Sequence, residues 1–336
     1  MLLAAYVRDL RNRRLPAQWG DRLLGGACFA TAATDDCAPP LLPVAAPPLG
    51  GTGAVAEIWG SDATCHVGED GGIAYRCDGQ ILFGACSLAE ESFAASDAAS
   101  GLQQASERAY RDVIAAIDRL GFPHLLRVWN YIPQINRETG GVERYRQFNV
   151  GRHAGLAATA RATRGDVPAA CALGVDGGPL TVYFLAGREA PLAIENPRQV
   201  SAYDYPPQYG RRSPTFARAS LAQLGAQRLL FISGTASIVG HRSVHIDDVA
   251  AQTLESLRNV AAVVDEANRR VGSECFSAAD LAYKAYVRHA GDFAVVRREI
   301  EAALGDAPVL YLRADICRSD LLVEIEASGG HALEML

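Results

Sequence analysis

Two glutamates near the end of the sequence, Glu324 and Glu326, stand in an otherwise apolar run, Leu321-Leu-Val-Glu-Ile-Glu-Ala327. Residues two apart on a strand share a face. Leu322, Glu324 and Glu326 are therefore expected on one side, and Val323 and Ile325 on the other. A carboxyl buried in such a run is costly unless paired, and burial raises its pKa. That is one way for a chain to make a general acid that still carries its proton near neutral pH. A structural carboxylate paired with an arginine gives the same pattern. Arg152, after Asn149-Val-Gly151, and Arg218, between Ala217 and Ala219, are candidate carboxylate clamps, because the guanidinium fork binds a carboxylate through two parallel hydrogen bonds. Tyr131, Tyr205 and Tyr209 could hydrogen-bond substrate oxygens or stack on a ring, or pack amphipathically at a pocket rim. Thr235 follows Gly234, a residue small enough to let backbone approach a ligand.

Other chemistries find less support. The chain has 336 residues, 49% of them hydrophobic, and a formal net charge of -6. That balance argues against a nucleic-acid or anionic-membrane surface. Lys284 is the only lysine, and nothing around it suggests Schiff-base chemistry. The eight cysteines include no Cys-x-x-Cys pair, so a zinc ribbon or thioredoxin-like motif is not expected. His241 and His245 are four apart, but Gly240 before them and the helix-capping Asp247 and Asp248 after them predict a loop entering a helix. No metal and no cofactor are expected. Gly174-Val-Asp-Gly-Gly178 lacks the lysine and spacing of a phosphate loop. No apolar run reaches membrane-spanning length, and the N-terminal residues 1–24 carry charges throughout. The expectation is a cytoplasmic protein with reduced thiols.

Elements must position these residues. Residues 1–50 are Ala/Pro-rich in places and are read as an irregular segment. Strands are predicted at 54–59 and 73–86, the second broken by a turn at 77–80. A helix follows at 100–120, closed by Gly121 and Pro123, and then a strand at 124–132. A strand is expected at 181–186. The second half repeats this order: strands at 216–220 and 228–235, a long helix at 247–270, a strand at 280–287, a helix at 293–304, and closing strands over 309–327. Alternation at these lengths predicts an α+β fold of mixed β-sheets with helices packed on one face. The repeated order suggests internal duplication.

Residues 231–327 resemble the reactive-intermediate deaminase (YjgF-like) family, through Phe231-Ile-Ser-Gly-Thr-Ala236, the long helix, Lys284-Ala-Tyr-Val-Arg288 and Val323-Glu-Ile-Glu-Ala327. A longer resemblance, over residues 54–327, is to the chorismatases, which cut the enolpyruvyl ether of chorismate. It rests on Val128-Trp-Asn-Tyr-Ile-Pro-Gln-Ile-Asn136, Tyr145-Arg-Gln-Phe-Asn-Val-Gly-Arg152, Ile194-Glu-Asn-Pro197, Tyr203-Asp-Tyr-Pro-Pro-Gln-Tyr-Gly210, Thr215-Phe-Ala-Arg-Ala219, residues 230–242 and residues 320–326.

The resemblance implies two YjgF-like/chorismate-mutase-like halves, 51–200 degenerate and 201–336 carrying most of the site. It implies Glu324 as the proton donor to the enol methylene and Cys317 as a second catalytic group. Tyr131, Arg152, Tyr205, Tyr209, Arg218, Gly234 and Thr235 are implied as substrate-binding residues. Chorismate is the implied small-molecule partner, and the oligomer is open between monomer and trimer. The hydrolytic branch of the family has Ala where Gly234 and Cys317 stand here, whereas the 3-hydroxybenzoate-forming branches resemble this chain at both. The implied products are 3-hydroxybenzoate and pyruvate, with 4-hydroxybenzoate as a possible co-product. The alternatives are a hydrolytic chorismatase giving a dihydroxy-cyclohexadienoate, a deaminase-like enamine or imine hydrolase, and a binding protein without turnover. Against the deaminase, its carboxylate-binding arginine has no counterpart at 309–311.

Overall fold

The computed structural model describes residues 1–8, 19–31, 41–51, 53–94 and 99–336. Two six-stranded sheets dominate it, and each carries two helices on its outer face. The central sheet runs, edge to edge, Ala169–Val175, His124–Pro133, Leu180–Gly187, Ile81–Leu88, Ile73–Cys77 and His66–Asp70. The C-terminal sheet runs Val309–Arg313, Ala282–Val287, Val323–Gly329, Gln227–Ala236, Ala219–Leu224 and Leu192–Ile194. Helices α1 (Gly101–Arg119) and α2 (Arg144–Ala158) cover the first sheet, and α3 (Val249–Val271) and α4 (Phe293–Leu304) the second.

Read along the chain, both halves give two strands, a helix, a strand, a helix and two strands. In both, the strand after the second helix lies parallel to the strand between the helices. In both, the last strand inserts antiparallel beside that between-helix strand, now at the middle of the sheet. The order expected from the sequence is therefore present as two copies of one topology. The helices begin where local chemistry starts them. Ser100 caps α1 by accepting from Gln103 N at 3.1 Å, and Asp248 caps α3 by accepting from Ala251 N at 3.0 Å.

The reading of residues 1–50 as irregular is overturned. Leu2–Arg8, Leu23–Phe29 and Leu41–Val44 join Val55–Ser61 and Ala332–Met335 in a third, five-stranded sheet. Both faces of Leu23–Phe29 are buried, so no polar–apolar alternation marks it as a strand. Pro43 is accommodated because Leu41–Val44 is an edge strand. This sheet packs on the inner faces of the other two, so the main core lies where the three meet. Cys28 is disulfide-bonded, against the expectation of reduced thiols throughout.

Two further boundaries differ. The predicted strand at 216–220 starts only at Ala219, and Phe216 to Arg218 precede it, tied by Ala217 N to Pro168 O at 3.0 Å. The run at 309–327 is cut by a loop at 314–322. The cut is topological: Val309–Arg313 and Val323–Gly329 flank the same strand, one parallel and one antiparallel, so the chain must cross over between them. Arg288 holds that crossing, donating to Leu321 O, Ile316 O, Arg318 O and Asp315 Oδ1 at 2.6–3.2 Å.

Candidate active site

The strand Val323–Gly329 alternates as expected. Val323, Ile325 and Ala327 pack under α3 and α4, and Glu324 and Glu326 point the other way, between the sheets. Leu322 lies just outside the strand, its N–H donating to Gln252 Oε1 at 2.7 Å. Both glutamates are buried, Glu324 at 4% and Glu326 at 3% exposure, yet their surroundings are opposite in character.

Glu324 lies at the inner end of a cavity of ≈240 Å³. Tyr145, Tyr205, Tyr209, Phe216, Arg218, Gly234, Cys317 and Arg318 line it, and a recess beyond Glu324 reaches Arg152 and Cys171. Burial, reinforced by the negative charge of Glu326, raises the Glu324 carboxyl to about 8 against the pull of Arg127, Arg218 and Arg288. Glu324 is thus a protonated acid at neutral pH, in reach of whatever fills the cavity.

Gly234 fits this acid. A register shift between Ile232 and Thr235 places Ser233 and Gly234 opposite a single residue of the neighbouring strand, as in a β-bulge. A Cβ built on Gly234 would lie 1.9 Å from Glu324 Oε1 and 2.6 Å from its Cδ. The carboxyl therefore occupies the space a side chain at 234 would take. The sequence reading gave Gly234 to the backbone's approach to a ligand; here it makes room for the acid.

Arg218 and Arg152 bring the cations. Arg218 donates through Nη2 to Tyr205 OH at 2.8 Å and Val200 O at 2.9 Å, and its guanidinium lies 5.2 Å from the Phe216 ring centre. Arg152 comes from α2, donates to Asn149 Oδ1 at 2.8 Å and stacks 5.0 Å over Phe148. Gly151 and Gly155 let α2 approach α1 closely enough to bring it there: a Cβ at Gly151 would meet Gln103 O at 2.1 Å. The Nε of each arginine is buried without a protein partner, which suits cations kept for an anion.

Arg318, Tyr145 and Cys171 are among the wall residues the sequence reading missed. Arg318 stacks 4.0 Å over Tyr209 and donates to His241 O at 3.0 Å. Tyr145 and Cys171 come from the first half and complete the recess. The neighbours Phe148 and Arg152 sit within one matched motif with Tyr145, which was the available signal for it; Arg318 and Cys171 gave none.

Two expected binding residues are not on the cavity wall. Tyr131 is 1% exposed and sits in the inter-sheet core, its OH 2.9 Å from Tyr286 OH. It belongs to a strand whose inner face meets the other sheets, so its ring packs against Phe29 and Tyr183 instead of a ligand. Thr235 turns its hydroxyl to Ser233 O at 2.8 Å. Cys317 does line the cavity, but burial, with the charge of Glu324, pushes its thiol up to about 12. It keeps its proton at neutral pH and is a weak donor or a small wall, not a proton acceptor.

Glu326 has no such opening. Arg127 Nη2 at 2.5 Å, Lys284 Nζ at 2.7 Å, Trp129 Nε1 at 2.9 Å and Tyr286 OH at 3.3 Å surround it. Burial works against its charge, but Lys284 and Arg127 outweigh it and hold the carboxyl below the usual range. Lys284 also reaches Glu57 Oε2 at 2.6 Å, so this cluster draws one group or more from each of the three sheets.

A larger cavity, ≈810 Å³, lies beside α4 and contains Phe293, Arg297 and Glu301. It holds no buried acid, so size does not mark the site. Among the described residues no group of three metal-ligating side chains occurs, and His245 lies 3.7 Å from Glu255 with a left-handed backbone. No helix of the described residues is long and apolar enough to cross a membrane.

Comparison with known proteins shows the family. Residues 57–186 match the family model described as "Chorismatase FkbO/Hyg5-like, N-terminal". A "3-hydroxybenzoate synthase" of Streptomyces hygroscopicus is 38% identical over 81% of this chain and 80% of its own length. A "Chorismatase" of Streptomyces rapamycinicus is 40% identical over 81% of both chains. A chorismatase crystal structure superposes with a TM-score of 0.84 at 33% identity, covering 98% of both chains. With a relative of that identity spanning four-fifths of it, the chain belongs to the chorismatase family.

Proposed function

We propose that this enzyme converts chorismate to 3-hydroxybenzoate and pyruvate, with Glu324 as the acid. One observation carries the reading: a buried carboxyl with a pKa of about 8 ends a cavity that also holds Arg218, with Arg152 in the recess beyond it. Chorismate brings two carboxylates, a ring and an enol ether. The arginines take the carboxylates and the tyrosines flank the ring. Glu324 gives its proton to the enol methylene, making an oxocarbenium ion. The C3–O bond then breaks and pyruvate leaves, while the substrate's own C4 hydroxyl oxygen bonds to C3. Opening at C4 and loss of a ring proton restore the aromatic ring. One proton enters and one is shed, so no water is consumed and Glu324 can recover its proton. Gly234 and Cys317 support this branch over the hydrolytic one, as does the name of the S. hygroscopicus relative.

The test is incubation of the protein with chorismate, assaying pyruvate and separating the aromatic products. Pyruvate with 3-hydroxybenzoate is expected. A dihydroxy-cyclohexadienoate instead would assign the hydrolytic branch, and no pyruvate would return the chain to the imine hydrolase or binding protein.

A further inference from the structure

The buried cluster around Glu326 lies outside the cavity that the mechanism uses, and four acidic or basic side chains, Glu326, Arg127, Lys284 and Glu57, in an apolar core are a costly way to hold three sheets together. A well-packed apolar set would serve at least as well. Its placement suggests another role. Glu326 stands two residues from Glu324 on the same strand face, about 6–7 Å along the chain. Every polar contact on Glu326 stabilises its charged form: two cations at 2.5 and 2.7 Å, an indole N–H at 2.9 Å and the Tyr286 hydroxyl at 3.3 Å. The carboxylate cannot turn away and cannot readily take a proton.

We propose that Glu326 is a positioning residue for the acid, a fixed negative charge that keeps Glu324 in its proton-bearing form. The proposal rests on Glu324 being the proton donor. The groups facing Glu324 from the elements packed on it are Arg127 and Cys171 from the central sheet, Tyr145 and Arg152 from α2, Arg218 and Arg288 from the C-terminal half, and Cys317 from the crossing loop, and Glu143, Arg146, Tyr205, Tyr209, Arg318 and Asp320 share the cavity wall with it. Arg127, Arg218 and Arg288 favour ionisation of Glu324. Glu326 is the carboxylate whose charge opposes them most strongly. Lys284 and Glu57 then have a clear use. Lys284 bridges the two carboxylates, fixing Glu326 as an anion, while Glu57 returns the charge that Lys284 adds.

Two charge-neutral double variants separate this role from a purely structural one. Glu326→Gln with Lys284→Met removes the charge beside the acid. Glu57→Gln with Lys284→Met removes an equal pair and leaves Glu326 with Arg127. The readout is the pH dependence of kcat/KM for pyruvate release from chorismate. In the first variant the alkaline limb is expected to fall by about 1–2 pH units, the size of a like charge at this separation in a protein interior, with the rate on the acidic plateau retained. In the second it stays within about 0.5 unit. Limbs that coincide in the two variants, or a first variant unshifted from the parent, overturn the proposal. If the first variant does not fold, Glu326→Asp keeps the charge on a shorter arm. A limb within about 0.5 unit of the parent then supports the proposal, and a shift of a full unit or more overturns it. Failure of the underlying reading is seen separately, as retained turnover in Glu324→Gln.

Discussion

The two halves share one strand order but fill its middle strand differently. In the first half, Tyr183 and Leu185 of Leu180–Gly187 point into the inter-sheet core; in the second, Glu324 and Glu326 of Val323–Gly329 point there. The outward residues are alike, apolar and packed under helices. A scaffold that buries rings in one copy buries acids in the other. The first half helps make the second tenable, since Arg127 and Trp129, from the strand next to Tyr183, bind Glu326 alongside Lys284 and Tyr286. One sheet thus acts as the solvent for charges on the other.

The largest break in this comparison is expected at Glu324 itself. Glu324→Gln should bind chorismate and lose kcat by on the order of 10²-fold or more, as for a removed general acid; near-parental turnover would remove the acid from the second half. Next, Arg218→Met should raise KM by roughly 10–100-fold, the weight of a charge-assisted hydrogen bond set, measured by steady-state kinetics with the fold checked by circular dichroism. Gly234→Ala should slow pyruvate release by about tenfold or more, because a Cβ there displaces the carboxyl and a small misplacement of a catalytic group is costly. Combined with Cys317→Ala it should move product toward the dihydroxy-cyclohexadienoate. An unchanged rate and product would separate residue 234 from the acid.

A stability measurement sharpens the same contrast. Glu324 titrates at about 8 in the folded protein, above its ordinary value of 4.5. Its contribution to stability is therefore full below the unfolded pKa and lost as pH rises through the folded one. Glu324→Gln, which mimics the protonated acid, should match the parent near pH 4–5 and exceed it by a few kcal/mol at pH 9, read from denaturant midpoints. Equal stability at both pH values would mean the carboxyl is not desolvated. The smallest effect belongs to the first half: Tyr131→Phe should leave KM within about twofold, since it loses only a buried hydroxyl contact away from the cavity.

Much of this was legible in the sequence. The alternation around Glu324, the capped helices and the repeated strand–helix order are local patterns, and local patterns survive folding. The N-terminal sheet was not legible, because its strands are buried on both faces or interrupted by proline, and its pairings span most of the chain. The cavity wall was legible where one motif supplied it, as at Arg152 and Arg218. It was not legible where a residue's role depends on which face its strand presents, as with Tyr131, or on a void opposite another chain segment, as with Gly234.

The five-stranded sheet has a kinetic consequence. Leu2–Arg8 pairs in parallel with Ala332–Met335, and Arg8 N and Leu336 N close the pairing onto Leu336 O and Tyr6 O at 2.8 and 2.9 Å. A strand made early thus waits for one far along the chain before that edge is satisfied. Loop closure over that separation is slow to be rewarded, so an apolar strand edge stays open until the later strand is made, and yield should respond to chaperones more than to any change at the cavity.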